Sequence, residues 1–157
     1  MGRVDVQLAC DEPDVPDAER IREWVGLAIS ATSTETGFDA EVSVRIVGIE
    51  EMRALNHEYR GKDQATNVLS FPSGDLAGLP DDATRALGDI VICASVVQSE
   101  AAEQNKALTD HWAHLLVHGT LHLLGHDHIS DHEAAAMECL EVRILTSLGV
   151  GDPYRVQ

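Results

Sequence analysis

The chain has 157 residues, 44% of them apolar, and its 27 acidic against 11 basic residues leave a net charge of −16. That length suits one domain over 1–157, able to bury about two-thirds of the surface its unfolded form exposes, and no stretch approaches the roughly 18 to 20 consecutive apolar residues of a membrane-spanning helix. So large a negative charge also disfavours broad, non-specific attraction to nucleic acid.

The N-terminus, "MGRVDVQLACDEPD", alternates apolar and polar residues and then turns acidic, without the apolar block and cleavage site of a secretory signal. Cys10, Cys93 and Cys139 are widely spaced and outside any C-x-x-C pattern, which argues against a disulfide framework. A cytoplasmic protein is expected. "RVDVQLA" (3–9) predicts a strand, and 16–32 a helix with acidic residues in its first turn. "EVSVRIVG" (41–48) alternates as a half-buried strand does, and 49–59 reads as a short helix. A third strand over 66–72 stops at Pro72. The stretch 73–87, with Gly74, Gly78, Pro80, Asp81 and Asp82, predicts an exposed loop. "GDIVICA" (88–94) is the fourth strand, apolar throughout as when both faces are covered. Helices follow over 95–105, 109–125 and 130–149; Ser130 and Glu133 fit a capping box, and Gly149 stands where a helix stops. Four strands interleaved with helices imply a small α/β or α+β fold with a mixed four-stranded sheet.

The stretch "HGTLHLLGHDH" (118–128) carries the chemistry. Each helical residue advances about 100°, so His111, His114 and His122 lie within about 40° of His118 on one stripe. One helical turn separates His118 from His122 by about 6 Å, which two Zn–N bonds of about 2.0–2.1 Å span once the rings tilt inward. A third ligand at the next turn would lie about 12 Å from the first, too far for the same ion. The chain must therefore turn back, and Gly125 permits it. His128 becomes the returning ligand, and the set is His118, His122 and His128 around one zinc ion, with a fourth position open to solvent as in catalytic sites.

This H-x3-H-x5-H spacing is that of the metzincin proteases, except that Gly119 stands where their general-base glutamate belongs. Peptide hydrolysis by that route is disfavoured. His111, His114 and Asp127 are candidates for orienting the ligand rings. His126 either lines the pocket or faces water, and His57 and His132 read as ordinary surface residues.

The stretches "LNHEYRGKDQATNVLSFP" (55–72), "LGDIVI" (87–92), "HWAHLLVHGTLHLLGHDH" (111–128) and "LGVGDPY" (148–154) together resemble the YbeY endoribonuclease family, also called the rRNA maturation factor family. The resemblance covers about residues 42 to 154 and places His118, His122 and His128 at the family's zinc-ligand positions and Arg60 at its arginine near the metal. It implies a small α/β domain with the metal helix beside a mixed sheet. It also implies a single-strand-specific endoribonuclease that matures the 3′ end of small-subunit ribosomal RNA and serves ribosome quality control. Many members carry tyrosine at position 126, where this chain has His126.

A zinc ion with a fixed guanidinium suits phosphodiester chemistry, because charge develops on the phosphate oxygens and Arg60 can bind them bidentately. Attack by water and attack by the neighbouring ribose hydroxyl both stay open. Ser70 and Phe71, at a strand end, read as packing residues, and Lys62 as a solvated lysine. The net charge stands against tight autonomous RNA binding, since affinity comes largely from phosphate neutralisation, although Arg45, Arg53, Arg60 and Lys62 fall close together in sequence. A partner that places single-stranded ribosomal RNA at the site, a ribosomal protein or the small subunit itself, is therefore expected. Two other readings are a metallohydrolase acting on another substrate and a ribosome-assembly factor whose metal is structural.

Overall fold

The computed structural model describes residues 3–32, 39–72, 84–123 and 131–149. The elements run β1 (Arg3–Leu8), α1 (Ala18–Thr32), β2 (Asp39–Val47), α2 (Ile49–Arg60), β3 (Val68–Pro72), β4 (Thr84–Cys93), α3 (Ala94–Glu103), α4 (Leu108–Leu123) and α5 (Asp131–Ser147). The four strands form one sheet in the order β1-β2-β4-β3. β1 and β2 pair in parallel, as do β2 and β4, whereas β3 runs antiparallel along the edge of β4. The expected mixed sheet in an α+β arrangement is what forms.

Strand alternation sorts the sheet into two faces. Val42, Val44 and Ile46 of β2 and Ile90 and Ile92 of β4 point to one face, where they join a core with Ile21, Val25 and Ala28 of α1 and Trp112, Leu116 and Leu121 of α4. On the other face Val47, Leu69, Val91 and Cys93 pack with Met52 of α2. β4 is thus covered on both sides, as its apolar run predicts. α4 is buried almost all round because it lies between the sheet, α1, α3 and α5.

β4 begins at Thr84, four residues before the predicted start, so 84–87 is strand and not loop. Thr84 to Ala86 pair with Asp39 to Glu41, and the register shifts between Glu41 and Val42. The bulge occurs at Leu87 and Gly88, and glycine hides it from a pattern search. Gly88 has φ +140°, and a Cβ there would meet the Phe71 carbonyl oxygen at 2.2 Å. Residues 73–83 of the predicted loop, and the Ser130 cap, lie outside the described residues.

Gly149 follows α5 in the left-handed conformation, φ +79°, as expected of a helix stop. Cys10, Cys93 and Cys139 are all free thiols. Among the described residues no helix is long and apolar enough to cross a membrane.

Candidate metal centre

The histidines of α4 form a continuous file. Ring centroids lie 6.2 Å apart for His111 and His114, 6.0 Å for His114 and His118, and 4.6 Å for His118 and His122. The stripe predicted from the 100° advance exists. His118 Nε2 and His122 Nε2 lie 3.0 Å apart, close to the about 3.3 Å that two bonds of about 2.05 Å at a tetrahedral angle require. A separation of that size would let the two nitrogens share one ion. His128, together with Gly125, His126 and Asp127, lies outside the described residues.

The other nitrogen of His118, Nδ1, is in direct hydrogen-bond contact with Oε1 of Glu141 on α5. Glu141 Oε2 faces His114 Nε2 at 3.3 Å. His114, His118 and Glu141 thereby bring three potential ligand atoms within 4.8 Å of one another, a group that could hold a metal ion. Glu141 is 0% exposed, whereas His114 and His118 keep part of their surface. Further along the file, His111 Nε2 meets Glu100 Oε1 at 2.9 Å, and the Asn67 side-chain amide donates to the same carboxylate at 3.0 Å. Burial holds the His111 imidazole below the usual histidine range, opposed by the Glu100 carboxylate.

The basic residues divide into two pairs. Arg45 donates to Glu51 at 2.6 and 3.1 Å, and Arg53 to Asp63 at 2.7 and 3.0 Å. Both guanidinium groups are already matched by a carboxylate. Arg60 and Lys62 form no ion pair among the described residues, and Arg60 is exposed at the last position of α2, before the left-handed Gly61.

A family model described as Endoribonuclease YbeY matches residues 7–149. The chain belongs to the endoribonuclease YbeY family. It is 53% identical over 152 residues to an Endoribonuclease YbeY of Alcanivorax borkumensis, covering 96% of this chain and 85% of that one. Identity is 47% to the Colwellia psychrerythraea protein of the same name, covering 98% and 97% of the two chains, and 54% to that of Halorhodospira halophila, covering 89% and 88%. The solution structure of TM1509 from Thermotoga maritima superposes with a TM-score of 0.59 at 23% identity, covering 99% of each chain, and shares the fold. The expected enzyme class, an endonuclease that cleaves RNA phosphodiester bonds, is the class of this family.

In this YbeY fold α2, which ends at Arg60, and α4, which carries the histidines, pack on opposite faces of the sheet, and no contact joins Arg60 to the histidines among the described residues. Tyr59, beside Arg60, packs edge-on against Phe71 of β3 with ring centroids 5.0 Å apart. Ser70, the adjacent residue of β3, donates to the carbonyl of Gly119, the residue after His118. Both residues pack, as expected of them. Sequence reasoning missed Glu141 and Glu100. The signal for Glu141 was available: α5 buries Met137, Ile144 and Leu145, and an acidic residue at 141 interrupts that apolar stripe.

Proposed function

We propose that the chain, acting as one unit over 1–157, is a zinc-dependent, single-strand-specific endoribonuclease of the cytoplasm. Its role in this reading is to mature the 3′ end of small-subunit ribosomal RNA and to serve ribosome quality control. The observation that carries the reading is the convergence of His118 Nε2 and His122 Nε2 at 3.0 Å while Glu141 occupies the far side of the His118 ring. Membership of the endoribonuclease YbeY family supports the substrate class.

His118, His122 and His128 would hold the ion, and zinc suits three imidazoles. When bound, it supplies a Lewis acid that stabilises charge on phosphate oxygens and acidifies water. Arg60 grips the scissile phosphate through its planar fork of donors and fixes its orientation. Arg45 and Arg53 are already paired with carboxylates, and the net charge of −16 opposes RNA binding. A ribosomal protein or the small subunit therefore delivers the single-stranded segment.

The test compares wild type with His122→Ala on single-stranded and structured ribosomal RNA fragments, with metal content measured on both proteins. Cleavage of single strands by the wild type alone, together with loss of one equivalent of zinc in the variant, is expected. Equal cleavage by both would sink the reading, and tight RNA binding by the isolated protein at physiological salt would remove the need for a partner.

A further inference from the structure

We infer that Glu141 is the positioning residue of the metal site, a buried carboxylate that sets the tautomer of His118 and so decides which nitrogen the ring presents toward His122. The inference rests on the ligand reading above and goes beyond it by assigning a role to a residue on a different helix.

The argument begins with cost. Glu141 is 0% exposed, and its α5 neighbours on the same face, Met137, Ile144 and Leu145, are at most 3% exposed. Packing alone would be served by leucine there, since removing a carboxylate from water is expensive unless donors replace the lost hydration. Both oxygens of Glu141 do face donors, one the Nδ1 of His118 and the other the Nε2 of His114.

A carboxylate accepts hydrogen bonds and donates none, so each facing nitrogen carries the hydrogen. A neutral imidazole has one N–H and one lone pair. His118 therefore holds its hydrogen on Nδ1 and its lone pair on Nε2, and Nε2 is the atom 3.0 Å from His122 Nε2. A ring in the opposite tautomer would aim an N–H at the ion. His114 is set the other way round: its Nε2 faces Glu141 Oε2 and carries the hydrogen. Glu141 accordingly selects His118 and turns His114 into a support. With His118 Nδ1 turned to Glu141 and Nε2 to His122, Glu141 acts in this reading as a partner of a ligand. Carboxylates placed this way fix ring orientation and raise ligand basicity.

The experiment uses full-length Glu141→Gln and Glu141→Leu. Zinc affinity is measured by competition with a chromophoric chelator, the cobalt-loaded absorption spectrum is recorded, and histidine tautomers in the metal-free proteins are read from nitrogen NMR. Expected are the Nδ1–H tautomer of His118 in wild type and its loss in Glu141→Leu. Zinc affinity should fall by about 10- to 100-fold in both variants, with a cobalt spectrum of unchanged type; the metal-free melting temperature should fall in Glu141→Leu, because His114 and His118 lose their acceptor. Should the leucine variant fail to fold, the isosteric glutamine variant carries the same affinity test. Unchanged zinc affinity in folded Glu141→Gln overturns the proposal, and so does a cobalt spectrum of a different type, which would make Glu141 a ligand. A His122→Ala protein that binds zinc as tightly as wild type overturns the ligand reading instead, so the two failures are told apart.

Discussion

The Ser70 hydroxyl donates a hydrogen bond to the Gly119 carbonyl at 3.2 Å, and a Cβ placed on Gly119 would meet that same hydroxyl oxygen at 3.2 Å and Ile90 Cγ2 at 3.3 Å. The histidine-bearing helix α4 is pressed onto the sheet at the position where the metzincin motif carries its general base. Glycine there serves close approach.

Gly119→Glu should consequently destabilise the protein by more than about 3 kcal/mol, because the carboxylate is driven into the Ser70 and Ile90 contact without a partner. Gly119→Ala sets a helix-propensity gain of about 1 kcal/mol against overpacking of about 1–3 kcal/mol, and a net loss of about 1 kcal/mol is expected. Urea midpoints of the two variants check both numbers; a stable Gly119→Glu protein would contradict the packing account.

Arg60 is exposed and forms no ion pair among the described residues, so Arg60→Ala should leave stability within about 0.5 kcal/mol of wild type. Its effect should fall on turnover, lowering kcat/KM for single-stranded RNA by about 100- to 1,000-fold, the scale of losing one charge-stabilising donor. Arg60→Lys should recover little of this, since an ammonium group lacks the planar fork. Full recovery with lysine would reduce the role of Arg60 to charge alone.

Removal of metal by a chelator should abolish cleavage while the fold persists, because the core of α1, α4 and the sheet is an apolar cluster that includes none of the histidines. Circular dichroism and RNA cleavage, followed on the same sample before and after zinc is restored, separate this from a structural metal. A collapse of helical signal on chelation would favour the non-catalytic reading.

His111 is 4% exposed, and burial depresses its pKa relative to the unfolded chain. The unfolded state then binds the proton more readily, so the stability associated with neutral His111 is present above about pH 6.5 and is lost as pH falls toward the lower folded value. In metal-free protein, the urea midpoint should drop more between about pH 7.5 and about pH 5.5 for wild type than for His111→Gln. Parallel pH profiles would show that the Glu100 carboxylate cancels the effect of burial on His111.

Much of this was legible in the residues. The alternation of Val42, Val44 and Ile46 and the run Ile90 to Cys93 announce strands, and the spacing of His111, His114, His118 and His122 announces one helical stripe, because both signals are local and periodic. The pairing of Glu141 with His118 was not legible by those means. Glu141 meets His118 from across 23 positions of chain, and only tertiary packing of α5 on α4 creates the pairing. The early start of β4 escaped because Gly88 and the bulge at Leu87 break the period that identifies a strand. The pairing of Arg45 and Arg53 with Glu51 and Asp63 likewise depends on how α2 lies on β2 and on the chain that follows it, which charge spacing does not encode.

Consecutive residues of β3 grip opposite helices, Phe71 holding α2 through Tyr59 and Ser70 holding α4 through Gly119. A slip of this edge strand by a single position would exchange the two, driving an aromatic ring into the glycine seat and leaving Tyr59 with a hydroxyl. The seats of α2 and of the histidine file would be lost in one event. Correct threading of five residues at the sheet margin therefore acts as an assembly checkpoint: a chain that fails it seats neither α2 nor α4 as observed.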